Sequence, residues 1–131
     1  MYSRILICGG RAFTNAVLFA NVMQKLQCDR IISDQPFVIE GGANGADTLA
    51  REWATNRGFP VATVRANWKL WPRQAGPIRN AWMLRLEPDL VIAFPGGAGT
   101  QNMADQAHRH GVTVFQVSEH GDVYLPFGRS S

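Results

Sequence analysis

A short glycine-rich stretch, Gly-Gly-Ala-Gly at residues 96–99, has the composition and the position of a phosphate-binding loop. It follows the apolar run 90–94, which is typical of a buried strand and is ended by Pro95. Thr100 can then cap a helix that continues to about His110. A strand, a glycine loop and a helix N-terminus together offer free N–H groups and a positive dipole end to an anion, usually a phosphate. A tight turn without a ligand is the alternative, but it requires less bare backbone.

Two further glycine turns follow predicted strands, one at residues 9–10 and one at residues 41–45. The first is not a dinucleotide fingerprint, because G-x-G-x-x-G is absent and no acidic residue stands at a strand end about 20 positions later. Arg11 comes directly after this turn and is either a phosphate ligand or a solvated loop arginine. Both interpretations stay open.

Two carboxylates flank the second glycine turn. Asp47 falls in the first turn of the following helix, where the dipole favours a negative charge. We expect it to cap that helix, with ligand contact as the alternative. Glu40 ends the preceding strand, and a buried carboxylate there needs a partner, which a ribose hydroxyl or an arginine would supply.

The loop 65–74 combines two tryptophans with three basic residues, and Arg79 follows it in the first turn of a predicted helix. Aromatic rings beside arginines suit stacking on a base and holding its phosphate. The alternative is that Trp68 and Trp71 cover the sheet edge, and we expect this for one of the two. Arg73 is the loop arginine that we assign to the ligand.

The composition is that of one globular domain. The chain has 131 residues, of which 46% are hydrophobic and 18% charged. No apolar run reaches membrane-spanning length, and no charged segment followed by a long apolar stretch opens the chain, so we expect a cytoplasmic protein without a membrane partner. Two cysteines, Cys8 and Cys28, fit thiols in a reducing compartment and make no metal-ligand spacing, so no metal is predicted.

The net charge is +3, and all but two of the basic residues are arginines, which grip phosphate in a bidentate way. They fall singly along the chain and form no basic run. This scatter favours a small phosphorylated ligand over nucleic acid, although a nucleic-acid-binding domain stays conceivable.

Strand and helix patterns alternate along the chain. This alternation predicts an α/β fold, a Rossmann-like three-layer sandwich, which must position the residues named above. We expect a five-stranded parallel sheet in the order 3-2-1-4-5, with every glycine turn at its carboxyl edge. The predicted domain covers residues 1–117. Residues 118–131 are a C-terminal tail that could be a free segment, a short strand or a subunit contact.

The predicted helices also assign a core. We expect Val17, Leu18, Val22 and Leu26 to form the buried stripe of the first helix. In the third helix, Ile78, Ala81, Trp82 and Met83 are predicted to pack beneath Arg79. Residues 29–35 are predicted to be turn-like, with Ile31 and Ile32 either extending the first helix or covering the core.

Four motifs in this order resemble the SLOG superfamily, the Rossmann-like group of the LOG phosphoribohydrolases and the DprA/Smf proteins. The resemblance covers roughly residues 4–117 and is strongest to the small, single-domain YspA-like branch of bacteria and phages. The motifs are Gly-Gly-Arg-x-Phe at 9–13, Gly-Gly-Ala-x-Gly-Ala-Asp at 41–47, Ala-Gly-x-x-Arg-Asn-x-x-Met at 75–83 and Pro-Gly-Gly-x-Gly-Thr at 95–100.

This resemblance implies a nucleotide or NAD-derived ligand with its phosphate on residues 96–100. In the LOG enzymes an arginine and a glutamate cleave the N-glycosidic bond. The arginine matches Arg79, but the glutamate position is Met103, and a thioether cannot stabilise an oxocarbenium-like state. The resemblance therefore favours a binding protein, a sensor or sequestering protein in phage defence or counter-defence. A hydrolase that uses Asp47, Glu40 or Asp105 instead is the alternative.

No cofactor is predicted: pyridoxal phosphate needs a Schiff-base lysine, and Lys25 and Lys69 are poorly placed for it. The resemblance also implies a homo-oligomer, a dimer or tetramer, with Trp82 and the Tyr124–Phe127 patch as hints. If the protein is an enzyme, Arg79, Glu40 and Asp47 are the candidate catalytic residues. The predicted ligand-binding residues are Gly9, Gly10, Arg11, Gly41, Gly42, Asn44, Asp47, Trp68, Arg73, Arg79, Asn80, Pro95, Gly96, Gly97, Gly99 and Thr100.

Overall fold

A computed structural model describes residues 1–127, in which strands and helices alternate as expected. The last four residues of the predicted tail lie outside this range. The elements are β1 Tyr2–Cys8, α1 Ala16–Cys28, β2 Ile32–Glu40, α2 Ala46–Asn56, β3 Val61–Thr63, α3 Ala75–Leu84, β4 Leu90–Ala93, α4 Ala98–Arg109, β5 Thr113–Val117 and β6 Val123–Tyr124.

The sheet has the order β3-β2-β1-β4-β5-β6, which confirms the α/β Rossmann-like fold and the predicted order of the first five strands. Those five strands are parallel, and β6 is an added antiparallel strand on β5. In the central pair β1–β4, Cys8 lies opposite Ala93, so the two strands end level. The loops that follow them therefore meet at the same edge of the sheet. This is the switch point of the topology, because β2 and β3 are added on one side of β1 and β4 and β5 on the other.

Alternate residues of the central strands supply two separate cores. Ile5 and Ile7 of β1 pack with Phe19 and Trp53 of α1 and α2 on one face. Leu6 packs on the other face with apolar side chains of α3 and α4. This period of two is what a parallel strand covered by helices on both sides requires.

The prediction that residues 29–35 are turn-like is wrong, because β2 begins at Ile32 and not at Phe37. The pairing with β1 passes from Tyr2↔Ile32 to Arg4↔Phe37, so β2 contains extra residues in a bulge. Pro36 lies within this irregular segment, and a proline without an N–H is tolerated at such a point. The first half of β2 therefore lacks the apolar pattern of a strand, because it contains this proline and the polar residues before it.

The predicted buried stripes of two helices are correct only in part: Val22 and Leu26 of α1 are buried, as is Met83 of α3. Val17 is 72% exposed, because α1 buries Phe19, Val22, Met23 and Leu26. In α3 the prediction is wrong for Ala81, which is exposed, and for Trp82, which is 59% exposed. The buried residues of α3 include the polar Asn80, which apolar periodicity cannot reveal.

The segment after β5 turns back and contributes β6, so a short strand is the observed form among the alternatives for residues 118–127. The division into a domain of residues 1–117 and a tail stays a prediction. Within residues 1–127, no helix is long and apolar enough to cross a bilayer.

Candidate functional site

A cleft of about 690 Å³ lies at the carboxyl ends of β1 and β4, between the N-termini of α3 and α4. Of the sixteen predicted ligand-binding residues, eleven line this cleft, whereas Gly41, Gly42, Asn44, Pro95 and Gly96 do not. The topology thus brings together residues from four different loops. The eleven are Gly9, Gly10, Arg11, Asp47, Trp68, Arg73, Arg79, Asn80, Gly97, Gly99 and Thr100.

The N-terminus of α4 forms one wall of the cleft and has no side-chain cap among the described residues. Gly97 is the N-cap residue, and its carbonyl oxygen accepts the hydrogen bond of Gln101 N–H at 3.0 Å. The predicted cap Thr100 is therefore wrong, because this residue lies inside the first turn. The N–H groups of residues 98–100 have no intrahelical acceptor and are available to an anion.

Gly97 and Gly99 are surrounded by open space. A Cβ atom added at either position would meet no heavy atom within 4 Å among the described residues. Packing alone therefore does not require glycine at these two positions, which both line the cleft. Their backbone is accessible to a group that approaches closely.

Gly9, Gly10 and Gly96 have a different role, because they allow the loop after β1 to contact the loop after β4. Gly10 N–H donates to Pro95 O at 2.8 Å. A Cβ atom on Gly9 would lie 3.0 Å from Phe94 Cβ, and one on Gly96 would lie 2.6 Å from Gly10 N. Larger residues would separate the loops that form the floor of the cleft.

Glu40 is fully buried and does not line the cleft. Its Oε1 accepts a hydrogen bond from Gly42 N–H at 2.7 Å, and its Oε2 accepts one from Thr63 Oγ1. Arg51 Nη1 lies 3.6 Å from Oε1 and has no hydrogen-bond partner among the described residues. Of the two partners expected for Glu40, the structure supplies the arginine.

Asp47 is the acidic residue of the cleft wall, and no other carboxylate of residues 1–127 lines it. The expected helix cap is wrong, because Asp47 Oδ2 accepts from Ala43 N–H at 3.1 Å and so secures the loop before the helix. Burial raises the pKa of Asp47 to about 6, while the hydrogen bond from Ala43 and the charge of Arg79 act in the opposite direction. Asp47 can therefore exchange a proton near neutral pH.

Arg79 and Asn80 connect the two sides of the cleft. Arg79 Nη1 donates to Gly41 O at 2.7 Å, and its Nε donates to Asn80 Oδ1 at 2.9 Å. Asn80 is 2% exposed, and its Nδ2 donates to Gly99 O at 3.2 Å and to Asn102 Oδ1 at 3.1 Å. One buried amide thus fixes both the arginine and the first turn of α4.

Trp68 forms a partly exposed wall of the cleft. Its ring would lie 3.5 Å from a Cβ atom on Gly76, so it rests on the start of α3. The guanidinium of Arg11 lies 5.9 Å from the ring centroid, within cation–π range. Trp71 is 43% exposed and does not line the cleft.

Seven residues that line the cleft were not among the predicted ligand-binding residues: Cys8, Ala43, Gly76, Pro77, Met83, Ala98 and Asn102. Cys8 is the last residue of β1, so its strand-end position was a usable signal, and burial raises the pKa of its thiol well above the ordinary value. Asn102 had no signal in the sequence, because its role depends on its contact with α3. Among residues 1–127, no three His, Cys, Asp or Glu side chains are grouped as a metal site requires.

A sequence profile described as "YAcAr: YspA, cpYpsA-related SLOG family" matches residues 3–71, more than half of the chain. The chain belongs to this SLOG family. The resemblance predicted from the four motifs is thereby confirmed. The matched range contains the first two glycine turns and Trp68.

One relative comes from a phage. The Gene 61 protein of Mycobacterium phage D29 is 36% identical over 89 residues, which are 63% of this chain and 71% of that protein. This similarity supports the family assignment, and the name of the relative states no activity.

Two solved structures share the fold. DNA processing protein A (DprA) from Streptococcus pneumoniae superposes with a TM-score of 0.69 at 19% identity, over 89% of this SLOG chain and 50% of the DprA chain. A UDP-N-acetylglucosamine 2-epimerase superposes with a TM-score of 0.55 at 16% identity, over 98% of this chain and 37% of the epimerase chain. The chain thus spans half or less of these proteins, and at such identities the likeness concerns the fold alone.

Proposed function

We propose that this SLOG protein binds a nucleotide, or an NAD- or ADP-ribose-derived molecule, with a phosphate at the N-terminus of α4. Membership of the SLOG family indicates nucleotide-related binding or processing in general. The observation that supports the finer proposal is the uncapped start of α4, where Gly97 and Gly99 line the cleft with open space around them. By contrast, the start of α1 is capped by Asn15, whose side chain accepts from Leu18 N–H at 3.0 Å.

Side chains around this helix terminus suit the other parts of a nucleotide. Arg11, Arg73 and Arg79 line the cleft, and guanidinium groups bind phosphate through two parallel hydrogen bonds. Trp68 offers a partly exposed ring on which a base can stack, a contact worth about 1–3 kcal/mol. Asp47 is placed to accept a hydrogen bond from a sugar hydroxyl.

The form that we propose is a sensor or a sequestering protein. Met103, at the position of the LOG glutamate, is fully buried in the core between the sheet and α4 and does not line the cleft. The similarity to a phage protein supports a role in phage defence or counter-defence.

The test is to incubate the purified protein with AMP, NAD, ADP-ribose and cyclic ADP-ribose isomers, to record its melting temperature, and to identify each ligand after heat release. A ligand that raises the melting temperature and is recovered intact supports the proposal, because binding to the native state stabilises it. If none of the compounds raises the melting temperature at millimolar concentration, the proposal is wrong.

A hydrolase that cleaves the N-glycosidic bond of a nucleotide is the second candidate, and Asp47 is the observation in its favour. A cleft carboxyl with a pKa of about 6 can act as a general acid or base at neutral pH. Glu40 is enclosed by its own partners, and Asp105 Oδ1 accepts from Gln101 Nε2 at 2.9 Å and does not line the cleft. Release of free base that is lost in both Asp47→Asn and Arg79→Ala would establish this reaction, and intact recovery of every bound ligand would exclude it for those compounds.

We also propose that the protein forms a homo-oligomer, a dimer or tetramer. Trp82 is 59% exposed on α3, and Tyr124 and Leu125 are 48% and 42% exposed near β6. Light scattering on the wild type and on Trp82→Lys tests this, and a monomeric wild type would contradict it.

A further inference from the structure

A second, smaller pocket of about 250 Å³ lies beside the cleft, and three arginines line it. Arg11 and Arg79 also line the cleft, whereas Arg65 lines only this arginine pocket. Trp68 and Ala43 belong to both walls, so one ligand can extend from the cleft into the arginine pocket. The backbone of residues 41–44 completes the wall.

The positive charge of the arginine pocket has no counterpart in its wall. No Asp or Glu among residues 1–127 lines it. Glu40, which precedes the turn 41–44, is fully buried, and its carboxylate accepts from Gly42 N–H and from Thr63 Oγ1. Asp47 lines the cleft but not the arginine pocket. The charge of Asp47 does act on Arg79, whereas no carboxylate of residues 1–127 forms an ion pair with Arg11 or Arg65. Guanidinium groups without such a partner around a concave surface attract an anion.

Two of the three guanidinium groups are held in place by the same turn. Arg65 Nη1 donates to Gly42 O at 3.0 Å, and Arg79 Nη1 donates to Gly41 O at 2.7 Å. Gly42 has a φ of +72°, and a Cβ atom there would lie 2.8 Å from Arg65 Cγ, so glycine permits this contact. An arginine has five N–H donors, and each of these two retains donors for an anion after these bonds. The cost of ordering the side chains is therefore partly met before a ligand arrives.

We propose that the arginine pocket binds a second anionic group of the ligand, a phosphate separated along the molecule from the one at the N-terminus of α4. This inference rests on the proposed function and narrows the ligand to a nucleotide with two separate phosphate groups. A fork of N–H donors from Arg65, supported by Arg11 and Arg79, matches the geometry of a phosphate. Trp68 contacts the part of the ligand between the two groups.

The test compares adenosine 5′-monophosphate, ADP and the 2′,5′- and 3′,5′-bisphosphates of adenosine by isothermal titration calorimetry. We expect at least one bisphosphate to bind the wild type about tenfold or more tightly than the monophosphate, as charge-assisted hydrogen bonds allow. ADP adds its phosphate beside the first one and should gain less. This control separates the position of the second charge from its mere presence.

Arg65→Gln and Arg73→Gln are matched variants, because Arg65 lines only the arginine pocket and Arg73 lines only the cleft. We expect Arg65→Gln to bind the bisphosphate no more tightly than the monophosphate, and to bind the monophosphate with the affinity of the wild type. Arg73→Gln should lower the affinities for the monophosphate and for the bisphosphate by the same factor. Arg65→Lys, which keeps the charge but loses the fork, should retain part of the gain.

The outcomes separate the two proposals. If the wild type binds monophosphate and every bisphosphate equally, or if the gain survives Arg65→Gln, the second anion site is wrong and the proposed function stands. If neither monophosphate nor bisphosphate binds the folded wild type, the second anion site is wrong, and the proposed function is wrong as well only if NAD, ADP-ribose and its cyclic isomers also fail to raise the melting temperature. A melting curve establishes that each variant is folded, and Arg65→Lys replaces Arg65→Gln in the comparison if the latter does not fold.

Discussion

Two glycine turns at the same edge of the sheet look alike in sequence but use their backbone differently. In the turn after β2, residues 41–47, Gly42 N–H and Ala43 N–H donate to the carboxylates of Glu40 and Asp47. Its carbonyl oxygens accept hydrogen bonds from Arg79, Arg65 and Thr48. Within residues 41–43, all three carbonyl oxygens and two of the N–H groups are thus bonded to other groups of the protein.

The turn after β4, residues 95–100, leaves its backbone open. Like α2, its helix has no side-chain cap in the described part of the chain, but here Gly97 and Gly99 have no neighbour that a Cβ atom would meet within 4 Å. Glycine therefore serves packing in the first turn and at Gly96 of the second, whereas Gly97 and Gly99 of the second turn give access. A glycine-rich turn identifies a binding loop only when its N–H groups are free.

Gly45→Ala, in the first turn, tests this difference and is expected to lower the free energy of unfolding more than any other variant discussed below. Gly45 has a φ of +77°, and a Cβ atom there would collide with the carbonyl oxygens of Gly10 and Arg11. Backbone strain and overpacking together should lower the free energy of unfolding by about 4 kcal/mol. Urea denaturation measures it.

Gly58→Ala is the control for Gly45→Ala. Gly58 has a φ of +75°, and a Cβ atom added there would meet no heavy atom within 4 Å among the described residues, so the variant carries strain without collision. We expect a loss of about 1 kcal/mol. Equal losses in the two variants would show that packing does not explain the glycine at residue 45.

A second test removes the carboxylate of Glu40, which accepts a hydrogen bond from the backbone of the first turn. Glu40→Ala leaves Gly42 N–H and Thr63 Oγ1 without their acceptor in a buried place, and Arg51 loses its ion-pair partner. The free energy of unfolding should fall by about 3 kcal/mol. Thr63→Val removes one hydrogen bond and should cost about 1 kcal/mol. A Glu40→Ala variant as stable as the wild type would contradict the structural role of this residue.

The third test uses the titration of Asp47. Its pKa rises from 3.8 to about 6 on folding, so the native state holds the proton more tightly than the unfolded state. This contribution to stability is complete below pH 4 and is lost as the pH rises through 6, by up to about 3 kcal/mol. Asp47→Asn should therefore be more stable than the wild type at pH 8 by about 1–3 kcal/mol.

The measurement is the difference in unfolding free energy between wild type and Asp47→Asn from pH 4 to pH 8, which cancels the other carboxylates. We expect the difference to grow with pH and to level off above pH 7. A constant difference would show that Asp47 does not titrate in this range.

The smallest change in stability is expected for Gly99→Ala in the open turn. No neighbour opposes the new Cβ atom, and alanine in a helix is about 0.5–1 kcal/mol more favourable than glycine. Because the methyl group enters the cleft, the affinity for a bound nucleotide should nevertheless fall about tenfold or more. Thermal melting and titration with AMP measure the two effects, and unchanged affinity would show that this turn does not contact the ligand.

Most of the framework was predictable from local patterns. Apolar runs predicted β1 and β4, and the glycines after these two strands indicated the sheet edge where the cleft lies. The order of the first five strands followed from right-handed crossovers between parallel strands. Apolar periodicity gave the buried faces of α1 and α3 only in part, because neighbouring apolar residues such as Val17 and Trp82 offered more than one possible stripe.

By itself, the sequence determined the fold class, the family and the group of loops at the carboxyl edge, because these depend on residue types at short spacing. Only the tertiary structure decided which turn is open, since that depends on partners far along the chain. Arg79, for example, donates to a carbonyl 38 residues away, and Asn80 joins it to α4. Hydrogen bonds of this kind leave no periodic signal, and they distinguish a turn that the protein satisfies from one left free for a ligand.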